Sequence, residues 1–226
     1  MTLQEDLTGL AKNGVLRAAI NTGNRALVQV NEGTLNGVSP ALAHRLAVEI
    51  GAQLTPVIYD GAGKVFADVD ADTWDVGFLA IDALRAEKLS FTAPYVTIEA
   101  TFAVRASSQI TDVDAVDRAG TRVLTARGSA YDMYLTWALE HAVLERFGTP
   151  PESFAEFQQG RADAVAGVRA SLEAFFASDP NVRILPGVLT AVHQAMVLPG
   201  RVNPRQAALD DFVVRAIQDG FVDAHL

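Results

Sequence analysis

Apolar residues along this chain fall into two kinds of block that alternate. One kind is a short apolar run without a helical period: residues 15–20 (VLRAAI), 54–59, 76–81 (VGFLAI) and 121–126. Runs of that length bounded by turn signals are the mark of buried strands. The other kind repeats every three or four residues. Leu42, Leu46 and Ile50 predict a helix that starts with Ser39 as its cap and Pro40 at the first helical position, and stops at Gly51. Leu209, Phe212, Val213, Ala216 and Ile217 predict a closing helix over 204–221, ended by Gly220. Leu3, Leu7 and Leu10 give a short amphipathic helix over 3–12. Residues 131–147 read as one long helix, ended by Gly148 and followed by Pro150 and Pro151, with Met133, Tyr134, Trp137, Leu139 and Leu144 in the core. Helices are also expected at 154–160 and 171–176, and strands at 97–105, 182–185 and 190–198. Alternation of this kind predicts an α/β fold of doubly wound sheets.

The chemistry concentrates in residues 75–95, DVGFLAIDALRAEKLSFTAPY. Asp82 follows the apolar strand at the place of a helix N-cap, where a carboxylate accepts a backbone N–H. Arg85 lies on the first turn, just beyond the strand's carboxyl end, and open α/β sheets bind ligands outside those ends. The segment closes on Phe91-Thr92-Ala93-Pro94-Tyr95, held extended by its proline. A second strand-to-helix turn is Arg127-Gly128-Ser129-Ala130-Tyr131-Asp132. Ser129 and Asp132 form a capping-box pattern there, with Asp in place of Glu. Such a turn presents free N–H groups and a positive dipole end, which suits an anion.

On these motifs the chain resembles the periplasmic amino-acid-binding proteins, the type II solute-binding proteins of family 3 that serve ABC transporters. Their pattern is a strand, then Thr/Ser-x-Thr-x-x-x-Arg, then Phe-Ser/Thr-x-Pro-Tyr; Arg85 and FTAPY fall on it, and 160–168 (GRADAVAGV) resembles the family's Gly-Arg-x-Asp-Ala strand. The resemblance runs from about residue 15 onward. It implies two doubly wound α/β lobes joined by a two-strand hinge, 1–103 plus 194–226 and 104–193, that close on a ligand in the cleft between them. It implies that Arg85 grips the ligand's α-carboxylate with both prongs of its guanidinium. The backbone at Gly128, Ser129 and Ala130 is implied as a second contact. His193 and Gln194 lie on the return crossing, within reach of the cleft.

Several positions depart from the family pattern. Asn24 or Arg25 stands where the family carries an aromatic residue against the ligand, which makes that wall polar. Phe78 and Ala80 occupy the two Ser/Thr positions ahead of the arginine, and Ala130 removes a hydroxyl from the Gly-Ser turn. Ala41 replaces an aspartate. The weightiest departure is Val168, which sits five residues after Asp163, where the family's amino-acid receptors place the aspartate that holds the ligand's ammonium. An ammonium enclosed against a valine lacks its charge partner, at about 1–3 kcal/mol or more. Arg169, one step further, would point to the other face of a strand. The expected ligand is a small organic acid or amino-acid-like molecule whose amine half goes unrecognised.

Composition narrows the classes further. Among 226 residues the formal net charge is −9, which argues against a nucleic-acid partner and a polybasic membrane surface. No apolar run approaches the ~20 residues of a membrane span. There is no cysteine, and His44, His141, His193 and His225 lack metal-ligand spacing. Asp68, Asp70 and Asp72 alternate like a calcium loop, but Thr73 and Leu79 replace its glycine and closing glutamate. No cofactor or metal is expected. The opening residues MTLQEDLTGLAKNGVL do not read as a secretory signal, so the expectation is a periplasmic protein if a signal was removed and a cytoplasmic one otherwise. Three functions follow: a receptor that works with an ABC transporter permease, a cytoplasmic ligand sensor, and an enzyme like the cyclohexadienyl dehydratases, with Glu99 or Asp82 as the general acid.

Overall fold

The computed structural model describes residues 7–226, so Leu3 and the start of the expected first helix lie outside the described residues. In chain order the elements are β1 (Val15–Asn21), β2 (Gln29–Asn31), β3 (Thr34–Asn36), α1 (Val38–Glu49), β4 (Gln53–Tyr59), α2 (Ala62–Ala67), β5 (Val76–Ala80) and β6 (Leu89–Phe91). They continue with β7 (Val96–Arg105), β8 (Arg122–Thr125), α3 (Ala130–Ala138), β9 (Val143–Arg146), α4 (Pro150–Gln158), β10 (Ala164–Val168), α5 (Arg169–Phe176), β11 (Val182–Ile184), β12 (Thr190–Pro199) and α6 (Gln206–Gln218). The described chain is a mixed α/β protein of two compact units: 7–22, 27–97 and 193–226 form one, 23–26 and 98–192 the other. The chain passes from unit to unit inside β7 and inside β12. The sequence reading put the first division at 103/104, further along the same strand.

In the first unit the strand order is β4-β1-β5-β12, with β6 on β12. β1 runs parallel to β4 and β5, while β12 is antiparallel to β5. All five residues of β5 are buried, because the sheet is covered on both faces. Alternation along the strands sorts the faces. Ala19, Leu79 and Val197 pack with Val65 and Val69, on and just after α2, and with Trp74. Leu42 and Leu46 of α1 are buried, and α1 packs on β1 and β4. Helix α1 starts one residue before the expected cap. Gly37 is its cap with φ 99°, and Ser39 lies inside the first turn, where its hydroxyl meets the Tyr95 hydroxyl at 3.1 Å. The amino ends of β1 and β5 are tied by charge: Arg17 holds Asp75 through Nε at 3.0 Å and Nη2 at 2.6 Å. Lys12 and Arg17 together hold the Asp72 carboxyl down at about 2. The three aspartates of the calcium-like run go separate ways, Asp68 to Tyr59, Asp70 to Lys88 and Asp72 to Lys12 and Arg17.

In the second unit the order is β7-β10-β8-β9, with β11 on β7. Its core is Phe154, Phe157, Leu172 and Phe176 against Ala103, Leu124 and Val165. Two expectations fail here. The long helix over 131–147 stops at Ala138; the chain then turns into β9, which runs parallel to β8. Asp117 makes that turn, accepting the N–H groups of Glu140, His141 and Ala142 at 2.8–2.9 Å. Trp137 is accordingly 72% exposed rather than in the core. Pro150 and Pro151 do not follow a helix but open one: Thr149 caps α4, and Glu152 reaches back to the Thr149 N–H at 2.8 Å.

Gly167 of β10 is fitted against this core, since a Cβ there would meet Phe154 Cζ at 2.7 Å and Leu172 Cγ at 2.9 Å. Gly167→Ala is expected to lower stability by about 1–3 kcal/mol in urea unfolding, through overpacking; an unchanged midpoint would refute this account of the core.

Candidate functional site

Each unit brings sequence-predicted residues to the carboxyl ends of its parallel strands. In the first unit β5 ends at Ala80, and Ile81 donates its N–H to His193 O at 2.8 Å. Asp82 Oδ1 then accepts the N–H groups of Leu84 at 2.8 Å and Arg85 at 3.1 Å, as the sequence predicts for a cap. What it caps is a 3₁₀ turn, Arg85–Glu87, rather than an α-helix. Arg85 is 1% exposed, and its Nη1 donates to Ala80 O at 3.0 Å. Burial lowers its pKa to about 10 and outweighs the opposing field of Asp82. A guanidinium whose charged form is penalised in this way gains from an added carboxylate.

Phe78 and Ala80, each 4% exposed, point to the face opposite Leu79. The Phe78 ring meets Tyr95 edge-on at 6.2 Å, so it takes part in a buried aromatic pair. Gln194 lies opposite Ala80 in the ladder and is 6% exposed. His193 Nδ1 sits 2.9 Å from the Thr97 hydroxyl.

In the second unit β8 delivers the turn at Gly128. Its φ of 71° is a left-handed conformation that suits glycine. Ser129 caps α3, accepting the Asp132 N–H at 3.0 Å, while Asp132 Oδ2 accepts the Gly128 N–H at 2.8 Å. The expected capping box is therefore present, shifted by one residue. It corrects the expectation for Gly128, whose N–H is already engaged by a carboxylate. Asp132 Oδ1 also lies 2.8 Å from Arg146 Nε. The Ala130 and Tyr131 N–H groups come next, at the positions a helix leaves without an internal acceptor.

Val168 is the half-buried N-cap of α5, opposite Ala100 of β7, and carries no carboxylate. Arg169 does not continue a strand; it opens α5 and clamps its own unit, with Nε 3.3 Å from Glu99 Oε2 and donations to Leu185 O and Gly187 O. Glu99, 52% exposed, is thereby paired with an arginine. Arg25 donates its backbone N–H to Ser171 Oγ at 3.1 Å, and beside it Asn24 has an enclosed Oδ1 without a hydrogen-bond partner. The sequence reading missed two residues of this unit, Thr125 and Tyr131. Both are buried, and both hydroxyls lack a well-formed hydrogen bond. Nothing in their spacing distinguishes them from core residues.

Among the described residues, no group of three or more His, Cys, Asp or Glu could hold a metal ion, and no helix is long and apolar enough to cross a membrane. Residues 16–224 match the model of the bacterial extracellular solute-binding proteins, family 3. The L-cystine-binding protein TcyJ of Escherichia coli is 23% identical over 201 residues, covering 87% of this chain and 74% of that protein. The cysteine-binding protein of Campylobacter jejuni superposes with a TM-score of 0.82 at 21% identity, covering 100% of this chain and 91% of that one. An ancestral amino-acid-binding protein, described as a precursor of cyclohexadienyl dehydratase, superposes at 0.80 with 20% identity and covers 96% of each chain. These solved structures share the type II fold expected from the sequence.

Ser129→Ala removes the side-chain acceptor of the α3 cap and is expected to cost about 0.5–2 kcal/mol in chemical denaturation. Arg85→Met keeps most of the volume and removes a buried charge, so the melting temperature without ligand should stay level or rise. A fall of several degrees would mean that Arg85 serves the fold rather than a ligand.

Proposed function

The chain belongs to the family 3 bacterial extracellular solute-binding proteins, and from that premise we propose that it is a receptor for a small carboxylate ligand whose α-amine it does not recognise. The observation that carries this reading is Arg85, a guanidinium enclosed at the carboxyl end of an all-buried strand, with its pKa lowered by burial. In this reading Arg85 binds the carboxylate, and the Ser129 and Ala130 turn supplies a second, neutral contact. Asn24 and Arg25 form a polar wall, Phe78 and Ala80 shape the floor beneath the arginine, and Val168 leaves the amine half of the site empty. The relatives named for L-cystine and for cysteine support the acid half, since both amino acids carry the same α-carboxylate. The family resemblance supports closure of the two units on the ligand as the mechanism, and the permease of an ABC transporter as the partner of the closed form. Binding needs no acid or base, which accords with the engagement of Glu99 by Arg169.

A thermal-shift panel tests the reading, with L-cysteine, L-cystine and L-arginine beside the amine-free acids pyruvate, lactate and phenylpyruvate. A ligand at a hundred times its dissociation constant adds about 2.7 kcal/mol, or several degrees. The expected result is a shift with an amine-free acid that is lost in Arg85→Ala. A shift only with amino acids would overturn the assignment of Val168, and a shift that survives Arg85→Ala would overturn that of the arginine.

A further inference from the structure

The sheet of the first unit is incompletely covered at its edge. β4 is the edge strand, and its Leu54, Pro56 and Ile58 pair with Leu16, Ala18 and Ile20 of β1 on the face opposite Ala19. Those β1 residues are buried, but Leu54 is only half-buried, Pro56 is exposed and Ile58 is 54% exposed. Beside this bare edge lies a cavity of about 540 Å³. That volume falls inside the ~300–1,000 Å³ span of small-molecule sites. Its apolar lining is Leu54 and Pro56, Leu35 of the β2–β3 hairpin, Pro40 and Ala41 at the start of α1, and Phe221 beyond α6. None of these residues is assigned to the carboxylate ligand above. Ala41 is the position at which the family pattern carries an aspartate, so that departure removes an acid from this lining.

The polar groups of the cavity have a common character. His225 Nδ1 lies 2.7 Å from Phe221 O. A carbonyl only accepts, so Nδ1 carries the proton of the neutral ring and Nε2 keeps an acceptor lone pair. The same ring lies against Phe221 with centroids 4.2 Å apart, and the Arg45 guanidinium, tied to Asp219, sits 4.7 Å from the Phe221 centroid. Asn36 donates Nδ2 to Thr34 O at 3.4 Å, which leaves its Oδ1 as an acceptor. His44, exposed on α1, completes the polar lining. Among the described residues no Asp, Glu, Lys or Arg lines the cavity. A carboxylate would find no fixed cation there, and an ammonium no anion. Apolar walls, an aromatic ring held in place and acceptors without formal charge suit a neutral aromatic molecule that has a hydrogen to donate.

We propose that this cavity of the first unit is a second ligand site, for a small neutral aromatic compound bearing an N–H or O–H group, such as an indole or a phenol. His225 Nε2 accepts that hydrogen, and the apolar lining takes the ring. The site is separate from the receptor reading and stands or falls without it.

The test is an NMR titration of the ¹⁵N-labelled protein with indole and with 1-methylindole, which keeps the rings and lacks the N–H. Indole should shift the amide signals of Gly33, Gly37 and Ala41 saturably, and 1-methylindole should bind about fivefold more weakly, one hydrogen bond's worth. His225→Phe keeps a ring against Phe221 and removes the acceptor, so it should erase the preference for indole. Ala41→Phe fills the cavity and should abolish binding of both; it leaves the C-terminal turn untouched, so an unstable His225→Phe does not spoil the test. No saturable shift at those amides, equal affinity for the two compounds, or wild-type affinity in Ala41→Phe would each overturn the proposal. So would loss of indole binding in Arg85→Ala, which would place the indole at the carboxylate site instead.

Discussion

A guanidinium enclosed at the carboxyl end of a strand buried on both faces is the constraint on which the first unit depends. Taking that charge out of water is costly, and the tertiary structure must hold it there. β5 can deliver it because every residue of the strand is buried and β1 and β12 flank it. Asp82 can aim it because its carboxylate ties the Leu84 and Arg85 N–H groups into one tight turn. The same sheet carries a second arginine, whose contrast with the first is instructive. Arg17, near the amino end of β1, is held by Asp75 and Asp72, and those hydrogen bonds raise its pKa. Arg85, at the other end, has its pKa lowered by burial. Arg17 fastens two strands through carboxylates of its own unit, whereas burial is the largest influence on Arg85.

The second unit uses carboxylates to fix its turns. Asp117 is spent on three backbone N–H groups that end α3 and start β9. Asp132 is spent on the Gly128 turn and Arg146, and Glu99 on Arg169. Each is a structural use of a carboxylate. Asp132 thereby fixes the start of α3, and Asp117 its end.

Much of this was legible in the sequence, for identifiable reasons. The apolar runs at 15–20, 54–59 and 76–81 became strands with boundaries within one residue, because covered parallel strands leave an uninterrupted apolar signature. Arg85 and the Gly128–Ala130 turn were legible because short motifs at strand ends carry local geometry. The errors arose where the deciding contact is distant. Residues 131–147 have helical spacing, yet Asp117 terminates the helix from more than twenty residues upstream, and pairing with β8 takes the rest. Pro150-Pro151 suits the end of one helix as well as the start of another, and the deciding signal, Thr149 with Glu152, lay three residues apart and went unread. Arg169 was expected on a strand because the run 160–168 sets a strand period that stops one residue before it.

Selectivity at such a site comes as much from what is missing as from what is present. A receptor for a zwitterion needs an acid and a base held at a fixed separation, and it rejects analogues that leave either one unpaired. On the receptor reading proposed above, Val168 in place of the acid removes that penalty for ligands without an amine and imposes one on ligands that have it.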